Sequence, residues 1–397
     1  MLPSSPADSV DSAGSTPVSA PGILFRSSIY GGSGYADGSL SILAGLMQEG
    51  FPLQVVPMGE QSDKKKLMPV ELRSRLEALQ KIRVDLARGV YYQCCPAIDF
   101  DTVTEARIRI GRTTFETDRL PEGWREKCNA LDQIWVPCRQ NRESFTYAGV
   151  KESRLVVMPE GLDTQVYRPG LEPLPVPGRR SFNFLSVFDW IDRKGADILL
   201  RAYLTEFKPD EDVTLILKVH KFDDPSALLE ARLLHFIEQT LRLRLEDCAP
   251  VIVLSGLLPA AEMPRLYATG DAFVVPSRGE GWGRPYMEAA ACQRPVLAPR
   301  WGGPVDYLDD TNAYLIDIEG MVPVPADSDR EVYFGHRWAE PSVDHLRQLM
   351  RRVFSHQEEA RRRAAKARAD MEQKWDWRIM AKLWAEKFHE LFDGERG

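Results

Sequence analysis

Histidine is scarce in this chain and confined to one side of it. His220, His235, His336, His345, His356 and His389 all lie in the second half, so a chemistry that needs a first-half histidine is not open to it. Cysteine is as sparse. Cys94, Cys95, Cys128, Cys138, Cys248 and Cys292 form no CxxC pair, which speaks against a zinc site or a disulfide framework and for buried thiols in a reducing compartment. Positive charge is not in surplus: 51 basic side chains face 58 acidic ones, for a formal charge of −7, which lacks the footprint of a general nucleic-acid binder. Nowhere does an apolar run reach the roughly 18 residues of a membrane span, and the start lacks the basic and apolar segments of a secretory signal. The expectation is a cytoplasmic protein. No carboxylate or histidine cluster has ligand spacing, so no metal is expected.

What is present is enough apolar material, 44% of 397 residues, for two cores with a cleft between them. Residues 1–22 are Ser, Pro, Ala, Gly, Asp or Thr except at Met1, Leu2, Val10 and Val18, which predicts a disordered tail. Ile23-Leu24-Phe25, the glycine turn Gly31-Gly32-Ser33-Gly34, the helical spacing of Leu40, Leu43 and Leu46, and Leu53 to Val56 open a parallel α/β sheet. The alternation returns at Phe182–Val187, Thr214–Leu217, Val251–Leu254, Ala272–Val275 and Pro295–Ala298. These short β-rich runs predict a parallel sheet buried on both faces. Arg168 to Gly178, with Pro169, Pro173, Pro175 and Pro177, reads as a stiff linker. The predicted units are an N-terminal Rossmann-like domain over 23–170, a linker over 171–181, a second such domain over 182–375, and a terminal helix over 376–397. The Trp377, Met380, Trp384 and Phe388 stripe of that helix should pack back on the first domain.

The densest chemical signal is Pro276 to Ala289, which contains Gly279-Glu280-Gly281-Trp282-Gly283-Arg284 and leads from a strand into a helix bearing Glu288. Glycines at a helix start let backbone N–H groups approach a phosphate or sugar oxygen. Alone, this could be a glycine-rich turn with two solvated glutamates. Asp192-Arg193-Lys194-Gly195 changes the balance, because two cations at the end of a neighbouring strand can hold a diphosphate.

With these residues the chain resembles the retaining, metal-independent glycosyltransferases of family 4 (glycosyl transferases group 1), which have the two-Rossmann-domain GT-B fold. The carriers are the E-x7-E pattern from Glu280 to Glu288, the Arg-Lys-Gly turn, Gly302-Gly303, Pro159-Glu160-Gly161-Leu162-Asp163 and Tyr167-Arg168-Pro169. The resemblance implies a UDP- or GDP-sugar donor and no cofactor. Arg193 and Lys194 would hold its diphosphate, Glu288 the ribose, and Glu280 with the backbone of Gly281, Trp282, Gly283 and Arg284 the sugar. Gly32, Ser33 and Gly34 would approach the diphosphate from the first domain. Three features depart from the family: Phe188 where an arginine is frequent, Lys218-Val219-His220-Lys221 in place of a glycine-rich turn, and no first-domain histidine. Glu116, Thr117 and Asp118, after a strand-like stretch, are expected near a saccharide acceptor, with a surface loop as the competing reading.

Residues 61–88 carry Lys64, Lys65, Lys66, Arg73, Arg75, Lys81, Arg83 and Arg88, with Leu72, Leu76, Leu79 and Ile82 at helical spacing. A basic amphipathic helix of this kind could touch anionic lipid at the inner membrane face, although a solvated face on a buried helix is the favoured reading. The expected activity is retaining transfer of a sugar from a nucleotide sugar to a saccharide or lipid-linked saccharide, in polysaccharide or glycoconjugate biosynthesis. A nicotinamide-dependent oxidoreductase is the alternative from another class. The glycine fingerprint at Gly32 is incomplete for it, Asp37 standing where the third glycine belongs. A non-catalytic carbohydrate-binding protein is the third reading, and the presence of Glu280, Glu288, Arg193 and Lys194 argues against it.

Overall fold

The structure is a computed structural model, and it describes residues 20–30, 34–59, 65, 68–220, 226–256 and 258–393. Most of the predicted tail, together with Gly31, Gly32 and Ser33, lies outside the described residues. The first half runs β1 (Pro21–Ser27), α1 (Gly34–Gln48), β2 (Leu53–Pro57), α2 (Val70–Leu79), β3 (Asp85–Cys94), β4 (Ile108–Arg112), α3 (Trp124–Asn129), β5 (Gln133–Val136), α4 (Arg139–Tyr147) and β6 (Leu155–Val157). The second runs β7 (Phe182–Asp189), α5 (Ala196–Glu206), β8 (Val213–His220), α6 (Ser226–His235), β9 (Val251–Leu254), α7 (Met263–Thr269), β10 (Ala272–Val274), α8 (Arg284–Ala291), β11 (Val296–Pro299) and β12 (Tyr314–Ile316). A hairpin of β13 (Ile318–Pro323) and β14 (Arg337–Pro341) follows, then α9 (Val343–Ser355), α10 (Gln357–Lys374) and α11 (Trp377–Asp393).

Each half contains a six-stranded sheet, ordered β2-β1-β3-β4-β5-β6 in the first and β12-β11-β10-β7-β8-β9 in the second. Every pairing in both is parallel. Burial on both faces follows from composition: Phe184, Leu215, Ile216, Phe273, Val274 and Leu297 are fully buried. The strand order reverses between β1 and β3 in one sheet and between β7 and β10 in the other. Ligands of open parallel sheets bind at such switch points, beyond the carboxyl ends of the strands.

The linker is fastened to the second half, the Leu174 amide donating to Thr269 Oγ1 at 3.0 Å. The C-terminal helix α11 returns to the first sheet, as its aromatic stripe predicts. Asp376 caps it, accepting the Arg378 amide at 3.0 Å and the Thr164 hydroxyl at 2.5 Å. The Trp384 and Phe388 rings lie 5.2 and 5.1 Å from Trp135, and Trp384 Nε1 donates to the Pro159 carbonyl at 2.9 Å. The crossing with α1 is close enough that a Cβ on Gly45 would come within 2.6 Å of Ala381 Cβ.

One expectation is corrected. The apolar spacing from Leu72 to Ile82 does not mark one basic helix over 61–88. Helix α2 ends at Leu79, Ile82 is exposed, and Asp85 begins β3. Within α2, Arg73 and Arg75 are matched by Glu71 and Glu77, and Leu76 is buried in the first-half core. Lys64 and Lys66 lie outside the described residues. Among the described residues, no helix is long and apolar enough to cross a membrane. All six cysteines are free and buried.

Candidate active site

The switch point of the second sheet is where the two cations meet the glycine loop. After β7 the chain makes one 3₁₀ turn, Asp192–Lys194, which Gly195 closes at φ +69°. A Cβ on Gly195 would overlap the Pro276 carbonyl, so glycine is what lets the two strand-end loops touch. Arg278 fixes them. Its amide donates to the Arg193 carbonyl at 2.7 Å, and its guanidinium holds Asp197 on α5 at 2.7 and 2.9 Å and Glu340 on β14 at 2.7 Å.

Within this frame Lys194 Nζ donates to Glu280 Oε1 at 2.7 Å. Arg193 Nη1 donates to the Gly279 carbonyl and lies 3.6 Å from Glu280 Oε2. Arg193 Nε donates to the Tyr333 hydroxyl at 3.1 Å, and Nη2 lies 3.3 Å from Glu116 Oε1. Burial pushes the Glu280 carboxyl up, but Lys194 and Arg193 outweigh it and hold its pKa below the usual value. Glu288 moves the other way. On α8 it is buried, which raises its pKa; Tyr267 donates to it at 2.7 Å, and Arg284 is 4.0 Å away. Two glutamates eight residues apart are thus tuned in opposite directions, so they suit different tasks.

Arg284 also faces Glu160 from the first half, at 3.4 Å, and Arg112 donates to the other Glu160 oxygen at 2.8 Å. Arg112 and Glu160 are almost fully buried. Sequence reasoning gave neither a role. Trp282 turns away from the cleft. Its ring packs 5.0 Å from Tyr307 and 5.5 Å from Trp375. Gly283, at φ +86°, is the residue immediately before α8. Gly34 is the first residue of α1 and has open space around it, while Gly32 and Ser33 fall outside the described residues.

The first half meets this site through the loop after β4. A Cβ on Gly279 would overlap the Glu116 carbonyl, and one on Gly281 would overlap the Thr114 side chain. Glu116 accepts from Tyr333 at 3.1 Å besides pairing with Arg193. Thr117 Oγ1 lies 2.7 Å from His336 Nδ1, and Asp118 accepts the Arg337 amide at 2.8 Å. All three residues assigned to the acceptor side therefore touch the segment joining β13 to β14 or the start of β14. Tyr333, Trp338 and Val324 share a core with Phe115 and Trp124 of the first half. No motif in the sequence marks Tyr333 or His336. Of the residues that depart from the family, Phe188 is buried 6.2 Å from the Trp190 ring, and Lys218 donates to the Gly256 carbonyl. Lys221 lies outside the described residues. Among the described residues, no group of three or more His, Cys, Asp or Glu side chains could hold a metal ion.

Residues 179–323 match the family model for glycosyl transferases group 1. A D-inositol 3-phosphate glycosyltransferase of Corynebacterium diphtheriae is 30% identical over 181 residues, 43% of this chain and 40% of that protein. A GDP-mannose-dependent alpha-(1-6)-phosphatidylinositol monomannoside mannosyltransferase of Mycolicibacterium smegmatis is 28% identical over 214 residues, 48% of this chain and 50% of that one. The chain thus spans half or less of the length of these curated relatives. Among solved structures, Anabaena HepE in complex with UDP-glucose superposes with a TM-score of 0.64 at 17% identity, covering 93% of this chain and 99% of that one. The sucrose-phosphate synthase of Thermosynechococcus elongatus superposes with a TM-score of 0.65 at 15% identity, covering 95% and 100%. The fold is that of GT-B glycosyltransferases, and these likenesses do not favour the nicotinamide-dependent alternative.

Proposed function

We propose that the chain, whose residues 179–323 match the family model for glycosyl transferases group 1, transfers a sugar from a nucleotide diphosphate sugar to a saccharide or lipid-linked saccharide, with retention at the anomeric carbon and without a metal. The observation that carries this reading is the convergence of Arg193, Lys194 and Glu280 beneath the glycine loop at the switch point. Breaking an anomeric C–O bond leaves an oxocarbenium-like centre and a departing diphosphate. Fixed positive charge beside the leaving oxygens lowers that barrier. Arg193 and Lys194 take that role. Glu280 and the backbone of Gly281 to Arg284 hold the sugar, Glu288 accepts from the ribose hydroxyls, and Gly32, Ser33 and Gly34 approach from the first half. Glu116, Thr117 and Asp118 line the acceptor side.

The donor is a UDP- or GDP-sugar. UDP-glucose in the HepE complex and GDP-mannose in the mycobacterial relative's name support those two bases. The phosphatidylinositol monomannoside in that relative's name supports a lipid-linked acceptor.

The test is release of UDP or GDP from a panel of sugar nucleotides, with and without a saccharide acceptor, and determination of the product's anomeric configuration by NMR. Retention is expected, and an inverted product sinks the mechanism. Turnover should be unchanged when EDTA is in excess over any divalent ion; a loss reversed by Mg²⁺ or Mn²⁺ refutes the cation pair as the sole leaving-group charge. Gly281→Ala should lower kcat/KM by about tenfold or more while leaving the melting temperature near wild type, because its methyl meets Thr114 only when the halves are together. Wild-type kinetics in this variant would show that such contact is not needed for turnover.

A further inference from the structure

Every nitrogen of the Arg193 guanidinium meets a partner within the protein. Its Nε is on Tyr333, Nη1 on the Gly279 carbonyl and beside Glu280, and Nη2 beside Glu116. A diphosphate that approaches this guanidinium must displace one of these partners. They are not equally held. Gly279 is main chain, and Glu280 belongs to the same half and is pinned by Lys194 at 2.7 Å. Glu116 comes from the other half, and among the described residues both partners of its carboxylate, Arg193 and Tyr333, lie in the second half. Its 3.3 Å separation from Arg193 is longer than the roughly 2.7–2.9 Å of a tight charge-assisted bond. Glu160, another first-half carboxylate that reaches a second-half cation, is the contrast, since Arg112 anchors it within its own half at 2.8 Å.

We propose that Glu116 occupies the diphosphate subsite of the donor-free enzyme as an internal stand-in for the leaving group, and that donor binding expels it. This rests on Arg193 being the diphosphate cation of the proposed function. The expulsion asks for a change of side-chain rotamer and not of backbone, because the backbone beyond Glu116 is tied down by Thr117 and Asp118, which are bonded to His336 and Arg337 on the connection and strand of the hairpin. Two anions competing for one guanidinium weaken each other's binding, so Glu116 sets a threshold that a diphosphate meets through its greater charge. The expelled carboxylate then faces the first-half wall of the cleft, on the acceptor side, only while donor is bound. The binding order that follows is donor before acceptor.

Calorimetric titration of UDP and of GDP into wild type, Glu116→Gln and Tyr333→Phe tests this. Whichever nucleotide binds wild type should bind Glu116→Gln about tenfold tighter. Tyr333→Phe removes one of the two bonds holding Glu116 and should give a smaller tightening in the same direction; it decides the question if Glu116→Gln does not fold. Equal or weaker binding in Glu116→Gln, with its melting temperature near wild type, overturns the stand-in while leaving the proposed function intact. If wild type binds neither UDP nor GDP, the proposed function fails and this inference with it.

Discussion

Alanine at both Arg193 and Lys194 should lower kcat/KM by about 10⁴-fold, with a large part of the loss in kcat. One preorganised donor to a developing negative charge is worth roughly 10²–10³ in rate, and two that act on one diphosphate do not add in full. Both cations are largely buried and already point at the loop where charge would develop, so water does not readily replace them. Their removal also leaves the Glu280 carboxylate buried without the two charges that hold its pKa down. Lys194→Gln is the gentler control, retaining a donor while removing charge, and should fall between wild type and the double variant. Steady-state kinetics with thermal melts alongside will separate chemistry from folding. A loss below tenfold in a folded double variant would mean that the diphosphate is held elsewhere.

The second large effect is on stability. Glu160→Ala should cost about 3–5 kcal/mol in chemical denaturation at neutral pH, since breaking a buried pair strands the remaining charge. Arg112 is 2% exposed, its Nε already has no hydrogen-bond partner, and Glu160 is its carboxylate. Glu160 also reaches Arg284 at 3.4 Å, so the same variant loosens the link between the halves. Replacing both partners with apolar residues, Arg112→Met with Glu160→Leu, should recover most of the loss, because an uncompensated charge costs more than an absent pair. A cost under 1 kcal/mol for Glu160→Ala would show that water reaches this pair.

The α/β alternation was readable because stretches such as 182–188 and 213–219 are buried or nearly so on both faces and so spell short apolar-rich runs without alternation. The cation turn and the paired glutamates were readable because their chemistry is local to one strand end each. The hairpin was not. Strand β13 is half-exposed, lacks alternation, and ends in proline, so nothing in Ile318–Pro323 spells a strand. Tyr333 and His336 matter only because that hairpin reaches the loop after β4, more than 200 residues earlier in the chain, and separation of that kind leaves no periodic trace. The Arg112 and Glu160 pair is hidden for the same reason. The sequence shows the loop that holds Trp282 but not the direction of its ring, which is drawn inward by Tyr307 and Trp375, a choice made by packing. Periodicity also overran its limit at Ile82, where apolar spacing continued past the true end of α2.

The central claim, that the Arg193 and Lys194 turn holds the diphosphate of a nucleotide sugar, is tested most directly by melting temperature in the presence of UDP and of GDP. The account predicts that at least one of them raises the wild-type melting temperature in a saturable, concentration-dependent way, and that Arg193→Ala with Lys194→Ala abolishes the rise. No rise with either nucleotide, or the same rise in the double variant, would contradict it.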